Sequence, residues 1–144
     1  MRTQPGDAAA PLPSEEPQLD VIVEQAAGLR LVVARGDLDA VTVAQLDDAL
    51  DIAAAQPLDL LVDLSRVEFI DSAGGHRLER AASAQAAAGR HLAIACTAGG
   101  EVARFFEALA ASCLELPVHH SRADALRAAL AAPGQEAVSA PRGG

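Results

Sequence analysis

The chain has 144 residues, a hydrophobic fraction of 51% and a formal net charge of −9 at neutral pH. That length suits one domain with a real core. The acidic balance argues against nonspecific nucleic-acid binding, which needs Lys and Arg to displace counterions, and against docking on anionic lipid.

Residues 1–17 carry Pro5, Pro11, Pro13 and Pro17 among acidic and small residues and read as a disordered tail. The opening Met1-Arg2-Thr3-Gln4-Pro5 has no apolar core of the signal-peptide kind. No apolar run approaches the roughly 18 residues of a membrane span, so the expectation is a soluble cytoplasmic protein. Leu19 to Gln25, with Val21-Ile22-Val23, reads as a strand. Ala26-Ala27-Gly28 is a short turn, and Leu29 to Arg35 is a second strand, which makes a hairpin. Gly36-Asp37-Leu38-Asp39 breaks the apolar pattern and leads into a helix. There Thr42 and Gln45 have capping-box spacing, and Val43, Leu46, Leu50 and Ala53 recur on one face. Pro57 ends that segment. Leu58 to Asp63 is an apolar run bounded by acids, as in a central strand buried on both faces.

The stretch from Asp63 to Gly74 then organises the rest. Apolar residues return at Val67, Phe69 and Ile70, stop at Asp71-Ser72, and give way to an alanine-rich helix running to about Ala88, with Gly89 as its stop. Ser72 is expected to cap this helix through its hydroxyl, and the same position puts that hydroxyl at the rim of the fold. Leu78, Ala81, Ala82 and Gln85 form the inward side. His91 to Cys96 is a further strand, Thr97-Ala98-Gly99-Gly100 a loop, and Glu101 to Ala111 a helix with Val102, Phe105, Phe106 and Leu109 inward. Leu114 to Val118 reads as the last strand. Ser121 and Asp124 open a final helix with Leu126, Ala129 and Leu130 inward. Residues from about 133 to 144 read as a second tail.

The order β-β-α-β-α-β-α-β-α predicts an α/β fold. A single domain over residues 18–132 would hold a mixed, mostly parallel sheet, an N-terminal hairpin and about four helices. In such sheets the working surface lies beyond the C-terminal strand ends. Two loops leave such ends with charge or hydroxyl to offer, Gly36 to Asp39 and Asp71 to Gly75.

These two loops resemble elements of the STAS domain. Gly36-Asp37-Leu38-Asp39 is similar to its G-[ED]-L-D element. Val62-Asp63-Leu64-Ser65-Arg66-Val67-Glu68-Phe69-Ile70-Asp71-Ser72-Ala73-Gly74 is similar to its signature V-x-D-L-S-x-V-x-F-[ILM]-D-S-[STA]-G. The chain looks most like a stand-alone anti-sigma factor antagonist. The resemblance implies that Ser72 is phosphorylated by an anti-sigma factor that is also a serine kinase. The unmodified antagonist would bind that kinase and free the sigma factor, phosphorylation would block that binding, and a phosphatase would restore it. It also implies a partner-facing surface holding Asp37, Asp39 and Asp71, with Ala73, Gly74, Gly75 and His76 in the helix that follows. Two positions depart from the family pattern. Gly75 and Glu79 stand where the family carries apolar side chains, and they predict a changed partner surface.

Several residues have plainer readings. Asp37 and Asp39 suit either contact with a basic partner or turn chemistry, in which a carboxylate binds its own backbone. Asp71 is either an organiser of its loop or a solvated acid, and His76 either a phosphate or partner contact or an exposed surface residue. Cys96 and Cys113 fit no zinc pattern and read as small buried apolar residues. His91, His119 and His120 are too few for a metal site. No paired carboxylates, Ser/His/Asp arrangement or phosphate cradle points to catalysis or a cofactor. The alternative to a phospho-switch is a constitutive accessory subunit of a membrane transport complex or other regulatory assembly.

Overall fold

Val21-Ile22-Val23 lies in strand β1 (Leu19–Ala26), which folds back on β2 (Leu29–Leu38) as an antiparallel hairpin. The structure, a computed structural model, describes residues 18–26, 28–111 and 116–130. Strands β3 (Leu60–Ile70), β4 (Leu92–Ala95) and β5 (Val118–His119) add on in parallel, so the sheet order β1-β2-β3-β4-β5 is the order of the chain. Helices α1 (Val43–Ala54), α2 (Ser72–Ala87) and α3 (Glu101–Ala111) follow β2, β3 and β4, and α4 (Arg122–Leu130) follows β5. This is the expected mixed α/β sheet with an antiparallel hairpin at one edge.

Alternation along the strands sorts the core into two layers. Val32, Ala34, Val62, Leu64 and Ile94 meet Leu46 and Leu50 of α1, Leu78 of α2 and Phe106 of α3 on one face. Leu29, Leu31, Leu61 and Ala95 meet Ala125 of α4 on the other. Asp63 is the buried acid on the α4 side. Its Oδ2 accepts from Arg122 Nε at 2.7 Å and its Oδ1 from the Ser65 N–H at 2.9 Å, so the strand holds the helix by an ion pair.

Several boundaries differ from the expectation. The Gly36-to-Asp39 segment does not break the strand. β2 continues to Leu38 through an irregularity at Gly36, where φ is +116° and a Cβ would lie 2.2 Å from the Gln18 carbonyl oxygen. Only glycine fits that approach. Likewise Leu60 to Ile70 is one strand, with register shifts that absorb the polar Ser65-Arg66. The final strand is Val118–His119, later than expected, and Leu114 lies outside the described residues. In α4 the buried residue is Ala125, whereas Leu130 is 52% exposed. The two tails, Ala27 of the first turn and Cys113 also fall outside the described residues.

Candidate functional site

Because β2 and β3 are parallel and in register, Leu38 opposite Ile70 and Asp37 opposite Phe69, both strands finish at one end of the sheet and hand on to their helices side by side. The Asp71 N–H donates to the Leu38 carbonyl at 3.1 Å, which joins the two loops directly.

The first loop is closed by its own polar groups. Asp39 Oδ1 accepts from the N–H groups of Val41 and Thr42 at 2.9 and 3.0 Å. The Thr42 hydroxyl accepts from the Asp39 N–H at 3.0 Å and donates to the Asp37 carbonyl at 2.7 Å. Thr42 therefore makes no capping box with Gln45, and Asp39 does the capping from the turn before α1. The turn reading holds for the Asp39 carboxylate. The Asp37 carboxylate makes no such bond among the described residues, and it stands part-exposed at the rim.

The second loop corrects the expected capping of α2. Asp71, in extended conformation, is the N-cap, and its Oδ1 accepts from the N–H groups of Ala73 and Gly74 at 2.9 and 3.3 Å. A carboxylate competes better than a hydroxyl for two converging N–H groups at the positive end of a helix. Ser72 is thereby released to the first helical position. It is exposed, and its hydroxyl has no partner among the described residues. Ala73 is part-exposed, and His76 is exposed one turn beyond Ser72 on the same side of α2.

Gly74 and Gly75 are buried. A Cβ on Gly74 would come 2.6 Å from Leu38 Cγ, and one on Gly75 would come 2.8 Å from Phe105 Cζ. These glycines let α2 sit tightly on the end of β2 and on α3. The departure at Gly75 is thus taken up inside the protein by Phe105 and does not remodel the outer surface. Glu79 is only part-exposed.

The two strand ends that lead into α1 and α2 carry four acids, Asp37, Asp39, Glu68 and Asp71. Phe69 (42% exposed) lies at the end of β3 between Glu68 and Asp71 in the chain, and Val41 (71%) lies in the turn between Asp39 and α1. Asp63 shares the signature with Ser72 but faces the other side of the sheet. Burial acts to raise its pKa, and the hydrogen bonds from Ser65 with the Arg122 guanidinium outweigh that and hold the carboxyl below its ordinary value. Cys96 is fully buried, and burial with the Glu107 charge pushes its thiol up, which makes it a poor nucleophile. No group of three His, Cys, Asp or Glu able to hold a metal occurs among the described residues. No described helix is long and apolar enough to cross a membrane.

Two features of the site carry only weak signals in the sequence. Asp63, set in Leu60-Leu61-Val62-Asp63-Leu64, signalled a buried acid in need of a cation, but Arg122 lies too far along the chain to be picked out. The exposure of Phe69 has a weaker signal, since the aromatic sits between Glu68 and Ile70 in what reads as a core strand.

The sequence model of the STAS domain matches residues 20–125. No curated protein matches the sequence. Among solved structures, an anti-sigma factor antagonist from Mycobacterium paratuberculosis superimposes with a TM-score of 0.66 at 24% identity, over 78% of this chain and 94% of that one. An uncharacterised DUF3478-family protein with a SpoIIAA-like fold from Shewanella loihica superimposes with a TM-score of 0.52 at 14% identity, over 83% of this chain and 99% of that one. The murine anion transporter Slc26a9 superimposes with a TM-score of 0.55 at 21% identity, over 76% of this chain but 19% of the transporter.

Proposed function

The chain belongs to the STAS domain family, and from that membership we propose that it is a non-catalytic phospho-switch, an anti-sigma factor antagonist working in the cytoplasm. Unmodified at Ser72, it docks on an anti-sigma factor that is also a serine kinase and frees the sigma factor for transcription. Phosphorylation of Ser72 ends the docking, and a phosphatase reverses it. The surface used is the rim formed by Asp37, Asp39, Asp71, Ala73 and His76 around Ser72, with the buried Gly74 and Gly75 acting from beneath by seating the helix.

The observation that carries this reading is the exposed Ser72 hydroxyl, without a partner among the described residues, directly after a capping aspartate. A phosphate there adds about −1.5 to −2 charges. The helix dipole would soften that charge. However, the Ala73 and Gly74 N–H groups are already engaged by the Asp71 carboxylate. The new charge is therefore set against Asp71 with few free donors to receive it, and like-charge repulsion reshapes the rim. The likeness to the mycobacterial antagonist supports the fold that this reading needs. The test is to titrate Ser72→Ala and Ser72→Asp proteins against the anti-sigma factor kinase. Tight binding by the first and none by the second is expected, and equal binding by both defeats the switch.

The likeness to 19% of the anion transporter Slc26a9 favours a second reading, an accessory STAS subunit of a transport assembly. A pull-down that recovers transporter or ATPase subunits in place of a kinase would select it.

A further inference from the structure

Only three phenylalanines occur in the chain, with no Trp or Tyr. Two of them are packed: Phe105 and Phe106 meet edge to face with ring centroids 5.5 Å apart, and Phe106 is 5% exposed. Phe69 is 42% exposed at the end of β3, two residues before Asp71. Its register partner across the sheet is Asp37, whose carbonyl accepts from the Thr42 hydroxyl at 2.7 Å. Immediately before Thr42 stands Val41, at 71% the most exposed large apolar residue described. Phe69, Val41 and Ser72 are thus all tied to the junction of Asp37, Leu38 and Asp71. The other exposed large apolar residues lie elsewhere: Ile22 on the edge strand, Ile52 and Leu130 toward the C-terminal ends of α1 and α4, at the opposite end of the sheet.

We propose that Phe69 and Val41 are the apolar anchors of the docking surface, and that they seat in an apolar pocket bordered by Arg or Lys on the anti-sigma factor. The inference rests on the reading given above and names the partner chemistry that this reading leaves open. A half-exposed aromatic gains from being desolvated, and such residues dominate the binding free energy of interfaces while their polar surround excludes water. The surround here is acidic, with Asp37, Asp39, Glu68 and Asp71 on the same strand ends, so the complementary rim is basic. Arg35 and Arg66, paired in register, lie one step back along the same strands and bound the acidic zone. A phosphate on Ser72 then falls at the edge of an apolar contact, where an added charge must be desolvated for the contact to form.

The experiment is calorimetric titration of the full chain, unmodified at Ser72, with the purified anti-sigma factor kinase. The variants are Phe69→Ala, Phe69→Leu, Val41→Ala and the remote control Ile52→Ala. Phe69→Ala should weaken binding at least about 30-fold, the loss shown by a hot-spot residue. Phe69→Leu should keep most of the affinity, Val41→Ala should lose about 5-fold, the scale of an ordinary contact within such an interface, and Ile52→Ala should match the wild type. Should Phe69→Ala also melt earlier, Val41→Ala decides, because its side chain is too exposed to carry the fold. If the wild type binds and both alanine variants bind within about 2-fold of it, a difference too small for any anchor, the anchors are overturned while the switch stands. If the wild type binds no such kinase, the functional reading falls and the anchors with it.

Discussion

At the scale of the residue, aspartates decide how this chain turns its corners. Asp71 was legible as a residue of interest, but not as the cap. A serine between an apolar run and a helix satisfies every sequence rule for a cap, and sequence alone does not show which of two adjacent acceptors faces the free N–H groups. Asp71→Ala should cost about 0.5–2 kcal/mol, seen as a fall in thermal midpoint, whereas Asp71→Asn should restore most of it. Asp63 gives a pH dependence. Its folded pKa is lowered, so its contribution is present above the unfolded value of about 3.9 and is lost as pH falls through the folded value. Denaturant unfolding between pH 7 and pH 3, a span chosen to bracket that unfolded value, should show the wild type losing more stability than Asp63→Asn. Equal losses would show that the Arg122 pair does not drive acid sensitivity.

At the scale of the element, the helices and the mixed sheet with its N-terminal hairpin were readable because hydrophobic periodicity is strong over those lengths. The strand ends were not. β2 and β3 both run past the point where apolar alternation stops, because pairing with a neighbour, and not side-chain pattern, keeps Gly36 to Leu38 and Ser65 to Ile70 extended. Sequence pattern cannot see a partner strand. The packing of α2 on α3 was likewise hidden: a missing side chain at Gly75 reads as a loss at the surface until Phe105 is found in its place. Gly75→Leu should overpack this contact and cost about 1–3 kcal/mol in chemical denaturation. Combining it with Phe105→Ala should cost less than the sum of the two single changes, since one vacates the volume the other needs. Strict additivity would mean the two residues do not share that space.

At the scale of the whole molecule, the two faces of the sheet are unequal. Among the described residues, three helices cover one face and only α4, Arg122–Leu130, covers the other, held by the Asp63–Arg122 pair. Arg122→Ala should therefore loosen α4 more than any other helix, with faster amide hydrogen exchange in residues 122–130 and in β4 and little change in α1. It would also leave Asp63 buried without its cation, a cost of several kcal/mol for a fully enclosed charge but less here, where Arg122 is partly open to water. Every strand, finally, lies beside the one made just before it. A polypeptide emerging from the ribosome can add each strand to a finished edge without waiting for distant sequence, which keeps loop closures short and assembly fast. Ser72 is made some fifty residues before α4, which covers Leu29, Leu31 and Leu61. A nascent chain stalled before Arg122 would carry the exposed Ser72 hydroxyl with a bare greasy flank behind it, a species for chaperones to shelter.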